Sequence, residues 1–172
     1  MDRRQYLGLV AASTAGLAGC AAPHGDGVPH YRRDRTVAGE HESLSIEASR
    51  DRVAVGGSIS FEVTNRSESR VALGCHEPWV IERRTETGWA EAVCGCEDAY
   101  AMCASFLGAG RTLSKTLTVG NDRVIAEQRV TGGGSAGRER TETVEHGVGP
   151  GRHRFFLLGT SPLLAAEFTI EG

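Results

Sequence analysis

Ser58-Ile59-Ser60-Phe61-Glu62-Val63-Thr64-Asn65 decides the fold. Its apolar residues fall at every second position, and only an extended chain puts alternate side chains on one face. The stretch therefore reads as a half-buried strand, with Ile59, Phe61 and Val63 turned to a core and Ser60, Glu62 and Thr64 turned away. The same period runs outward in both directions. Upstream, Leu44 and Ile46 alternate with polar neighbours, a turn occupies 49–52, and Val53 and Val55 lead into Gly56-Gly57. Downstream, the polar turn 65–69 gives way to Val71 and Leu73. Pro78 then opens Trp79 to Arg84, and the turn 85–88 should fold this strand onto Trp89 to Val93 as a hairpin.

Farther on, Leu113, Leu117 and Val119 mark a threonine-rich strand, a composition that suits a pleated surface. Val124 to Thr131 and Arg138 to Val144 flank Gly132-Gly133-Gly134-Ser135-Ala136-Gly137, a loop that joins the most weakly specified hairpin of the chain. His153 to Leu158 and Leu163 to Ile170 close the sequence, and their Phe155, Phe156, Leu157, Phe168 and Ile170 should supply much of the core. Past the first twenty residues no stretch keeps a 3.6-residue period over about ten residues. About seven to nine short strands separated by turns predict an all-β fold of two packed antiparallel sheets, since a single sheet would leave an apolar face in water.

The N-terminus predicts where that body sits. Arg3 and Arg4 precede an apolar run from Tyr6 to Ala18, which closes on Leu17-Ala18-Gly19-Cys20. A charged start, a short apolar run and small residues before a cut make a secretory signal, and the run is shorter than the about 20 apolar residues a spanning helix needs. The pair of arginines resembles a twin-arginine signal, and Leu-Ala-Gly-Cys resembles the lipobox of bacterial and archaeal lipoproteins, which implies a lipid on Cys20. Residues 1–20 are thus expected to be a signal, 21–41 a disordered tether rich in Gly, Pro, His and charge, and 42–172 one folded domain.

The formal net charge is -3 over 172 residues, and losing Asp2, Arg3 and Arg4 with the signal removes +1, which leaves the mature chain near -4. No basic surface is implied, which argues against nucleic acid as a partner. Lys115 is the single lysine among 19 basic residues. With the signal type, that skew resembles lipoproteins of halophilic archaea.

A domain resemblance rests on Ser-Ile-Ser-Phe-Glu-Val-Thr-Asn (58–65), Trp-Val-Ile-Glu-Arg (79–83), Gly-Trp (88–89), Gly-Ala-Gly-Arg-Thr (108–112), Gly-Pro-Gly-Arg-His-Arg (149–154) and Ala-Glu-Phe-Thr-Ile (166–170). Taken in order, these segments resemble a bacterial immunoglobulin-like domain of surface lipoproteins. The resemblance implies an immunoglobulin-like antiparallel sandwich and no reaction. Where that family carries tyrosine after its Pro-Gly turn, this chain has His153. A more distant similarity is to small sandwich inhibitors of intracellular proteinases.

Besides Cys20 the chain has Cys75, Cys94, Cys96 and Cys103. In an exported domain an even number predicts disulfides, with three possible full pairings. Cys94 with Cys96 would close a very tight ring, so the spacing favours Cys75 paired with Cys94, Cys96 or Cys103. The alternative is a thiolate site for zinc or copper built from Cys75, Cys94, Cys96 and Cys103 with His76 and Met102 nearby, or a redox pair of Cys94 and Cys96. A one-residue gap between ligands is unusual for zinc, which favours bridges. His24, His30 and His41 fall in the tether, and His146 and His153 flank the last turn with no ligand spacing. Glu97 and Asp98 lack the spacing of a calcium loop, and Trp79 and Trp89 read as core and hairpin residues.

No nucleophile elbow, zinc-protease helix or phosphate loop occurs. The expectation is a non-enzymatic exported module, anchored at the outer face of the cytoplasmic membrane, with a cell-surface or envelope protein as possible partner and no cofactor. The alternatives are a cysteine-based metal or redox accessory protein, and a proteinase inhibitor acting through Gly132 to Gly137.

Overall fold

A computed structural model describes residues 37–74, 77–95, 105–131, 139–160 and 162–172. Their fourteen strands are, in chain order, β1 (Val37–Ala38), β2 (Glu40–His41), β3 (Leu44–Ala48), β4 (Arg52–Ala54), β5 (Ser58–Asn65), β6 (Val71–Gly74) and β7 (Trp79–Thr85), then β8 (Gly88–Gly95), β9 (Ser105–Leu107), β10 (Thr112–Val119), β11 (Val124–Thr131), β12 (Glu139–Val144), β13 (Gly151–Leu157) and β14 (Leu163–Glu171). There is no helix among the described residues, and hence none there long and apolar enough to cross a membrane.

The strands form two large sheets and a small one. The first sheet runs β1-β14-β13-β7-β8, with β4 beside β14; the second runs β12-β11-β10-β5-β3-β2; β6 and β9 pair separately. The two expected hairpins are present as antiparallel pairs, β7 with β8 and β11 with β12, and β10 with β11 and β13 with β14 pair in the same way. The two large sheets face each other across a core in which Ile59, Phe61, Val63, Leu113 and Leu117 of the second meet Trp79, Ile81, Phe155 and Phe168 of the first. Phe61 carries the contact: its ring stacks on Phe155 at 4.3 Å and meets the edge of Phe168 at 5.3 Å. A second apolar group, Val80, Phe156, Leu158 and Leu163, is buried apart from this core, with Cys94 packed against it.

Three features depart from the sequence-based expectation. The strands number fourteen because several are only two or three residues long and owe their existence to backbone pairing, not to an apolar period. Likewise, among the described residues, strand pairing is found within the expected tether: Val37 and Ala38 pair in parallel with Leu163 and Leu164, and Glu40 and His41 pair with Ser45 and Leu44. The alternation running from Val53 into Val63 is also divided between sheets. β4 pairs in parallel with β14, whereas β5 lies between β10 and β3, and Gly56, at φ +83°, turns the chain from one to the other. The expected signal (Arg3, Arg4 and Leu17 to Cys20) and residues 21–36 lie outside the described residues.

Candidate functional site

The inner face of β10 breaks its own apolar pattern. Leu113 and Leu117 are fully buried core residues, and Lys115 stands between them, also turned inward and 4% exposed. Across the strands it faces Phe61 on β5 and Gln128 on β11, and Gln128 in turn faces Arg140 on β12. An ammonium in such a place needs partners. The segment entering β7 supplies them: Lys115 Nζ donates to the Glu77 carbonyl at 3.0 Å, and Gln128 Nε2 donates to Glu77 Oε2 at 2.8 Å. Trp79 closes the group, its indole N–H donating to Glu142 Oε2 at 3.0 Å and its ring lying 5.8 Å from Lys115 Nζ, within cation–π range.

This network joins the two sheets through polar groups. Glu77 and Gln128 are as buried as Lys115, and Gln128 Oε1 has no hydrogen-bond partner among the described residues. Burial pushes the Lys115 amine down to about 8; the Glu142 and Glu77 carboxylates oppose that effect, and Arg140 adds to it. Glu77 also holds φ at +50° immediately before Pro78, a backbone state that costs a non-glycine residue about 1–3 kcal/mol. A neutralisable amine, an amide and a carboxylate are thus gathered at one backbone segment, with Lys115 Nζ on the Glu77 carbonyl and Gln128 Nε2 on its carboxylate.

Gly95 explains part of the cysteine spacing. It lies opposite Trp79 in the β7–β8 pair, and a Cβ there would overlap the indole nitrogen. Only glycine fits under Trp79, and the cysteine before it is displaced by one residue toward Val80 and the second apolar group. Cys94 is disulfide-bonded, and a bridged sulfur is not a thiolate ligand. Cys75, His76, Cys96, Met102 and Cys103 lie outside the described residues, as does Gly132 to Gly137. No group of three or more potential metal ligands occurs among the described residues.

The other singled-out residues lie apart from Lys115. His153 is buried on β13, its Nδ1 2.9 Å from the Gly151 carbonyl and its ring 5.6 Å from Phe168, while Nε2 has no partner among the described residues. His41 and His146 are exposed. Trp79 is fully buried, whereas Trp89 is half-buried with the Arg154 guanidinium 4.4 Å from its ring centroid. On the outer face of the second sheet, hydroxyls pair across β5 and β10: Ser58 with Thr118 and Ser60 with Thr116, each at 2.8 Å, and Thr64 with Thr112 at 3.2 Å. Beside them a groove of about 360 Å³ is lined by Ser114, Thr116, Glu127, Arg129, Glu139 and Thr141.

No protein-family model matches the chain, and no curated protein matches it. Among solved structures, the alkylpurine DNA glycosylase AlkC of Pseudomonas fluorescens, bound to DNA containing an abasic-site analogue, overlaps 76% of this chain and 31% of its own at 16% identity and a TM-score of 0.33. A β-glucosidase from Listeria innocua, in complex with laminaribiose, overlaps 75% of this chain and 16% of its own at 18% identity and a TM-score of 0.31. The chain therefore spans under a third of either protein, and overlaps of this quality carry no functional argument.

Proposed function

We propose that this chain is a lipid-anchored extracytoplasmic sandwich of the immunoglobulin-like kind, which binds a surface or envelope partner and catalyses no turnover. The reading rests on Leu17-Ala18-Gly19-Cys20 behind Arg3-Arg4, the sequence of an export signal that ends at a lipid-accepting cysteine. Two observations support it. The disulfide at Cys94 suits an oxidising compartment, and the most regular outward surface is the hydroxyl ladder with its adjacent charged groove, a face suited to contact. In this reading the tether holds the sandwich off the membrane.

Fractionation of the native host tests the reading. The chain should partition with membranes, carry a lipid on Cys20 by mass, and move to the soluble exported fraction when Cys20→Ala is introduced. Recovery in the cytosol with residues 1–20 intact would overturn it.

A further inference from the structure

Lys115 and Gln128 are directly opposed on neighbouring strands, both inward and both buried, with the side-chain nitrogen of Gln128 on the Glu77 carboxylate. We propose that these two side chains become covalently joined: Lys115 Nζ attacks the side-chain carbonyl carbon of Gln128, the bond from that carbon to Nε2 breaks, and an intramolecular amide between β10 and β11 remains.

The step balances without an added reagent. An ammonium and a primary amide become a secondary amide and one ammonium ion; nothing is oxidised or reduced. Two protons leave Nζ and two arrive on the departing nitrogen. One proton leaves Nζ when the ammonium becomes the neutral amine, and the second leaves as the tetrahedral intermediate collapses. The Glu77 carboxylate, whose Oε2 already accepts from Nε2 at 2.8 Å, is placed to protonate the departing nitrogen, while the Glu77 carbonyl holds Nζ at 3.0 Å. Opposed side chains on paired strands have Cβ atoms about 5 Å apart, well within the combined reach of lysine and glutamine.

The driving force is the charge itself. An ammonium held between two sheets is costly, as the fall of the Lys115 pKa to about 8 records. The reaction converts it to a neutral amide and releases the charge to water as a small ion. The same depression keeps a usable fraction of the amine neutral near pH 8, which nucleophilic attack requires. The residue type fits this role. Every other basic side chain among the 19 is arginine, and an arginine at this position would stay protonated and could not act as the nucleophile. The positive φ of Glu77 fits as well, because strain of that kind persists where a side chain is held in one functional position.

The experiment uses the purified full chain, reduced, alkylated and denatured, then cut by an arginine-specific protease. Thr112–Arg123 carries Lys115, and Val124–Arg129 carries Gln128. The expected product is one branched peptide containing both, lighter than their sum by one ammonia, and a lysine-specific protease should fail to cut after Lys115. Recovery of the two peptides separately at full mass, with cleavage after Lys115, overturns the proposal. A joined pair lighter by one water also overturns it, because the bond would then involve a carboxyl group. In Glu77→Gln, with folding checked by circular dichroism, the peptides should separate; joining at the wild-type yield would remove Glu77 from the step.

Discussion

Trp79 occupies the space in which any side chain on Gly95 would stand, and it does so with its indole N–H committed to Glu142. The ring cannot yield without breaking that bond. Gly95→Ala should therefore lose about 2–3 kcal/mol by overpacking, read as a lower denaturant midpoint at an unchanged slope. The emission of Trp79 should shift as the indole leaves its carboxylate.

Buried and exposed ion pairs should respond differently. Arg154 Nη2 lies 2.6 Å from Glu82 Oε2, with Glu82 fully buried. Its guanidinium is also 4.6 Å from the Phe156 ring centroid. Arg154→Met takes a charged partner from a buried carboxylate and should cost about 3 kcal/mol. Arg129 and Glu139 pair at 2.9 Å, but both are largely in water, so Arg129→Met should cost less than about 1 kcal/mol. Equal losses in paired chemical denaturations would contradict this account.

His153 should give the fold an acid sensitivity. Burial lowers its pKa from the ordinary 6.5; the bond to the Gly151 carbonyl opposes that effect, and the charge of Arg83 adds to it. The unfolded chain then binds this proton more readily than the folded one, so the contribution is full above about 6.5 and is lost as pH falls through the lower folded value. Measured between pH 7 and pH 4, the free energy of unfolding should fall less steeply in His153→Phe than in the parent. Parallel curves would show that His153 does not titrate differently on folding.

Asn65 ends β5 as a fully buried hub. Its Nδ2 donates to the carbonyls of Ser69, Leu107 and Gly108 at 2.7, 3.0 and 3.0 Å, and its Oδ1 accepts from Ser67 N–H and Oγ. Asn65→Ala removes all five of these bonds from a buried position and should cost about 2–3 kcal/mol. Amide exchange should quicken in residues 66–70 and 108–111 before it does in β10; uniform acceleration would mean that Asn65 holds the whole fold and not these loops.

The alternation of Ser58 to Asn65 and the closing aromatic strands made the sandwich readable, because period two survives without knowledge of partners. The parallel edges were not readable: nothing local marks the two-residue β1, and the alternation at Val53 does not show that β4 pairs with β14 and not with the sheet of β5. The Lys115 network was hidden for a related reason. Its bonds join residues 38, 51 and 63 positions apart, and no periodicity reaches Glu77, which precedes a proline. One clue was present in the sequence: Leu113-Ser114-Lys115-Thr116-Leu117 places the chain's lone lysine on the apolar side of an alternating strand.

The parallel seam between β1 and β14 has a mechanical meaning. Any pull transmitted through the residues before Val37 arrives first at a two-residue attachment beside Leu163 and Leu164, then at the equally short β2. These joints should give way one after the other while the aromatic interior stays shut, so the entry to the fold works as a sacrificial clasp.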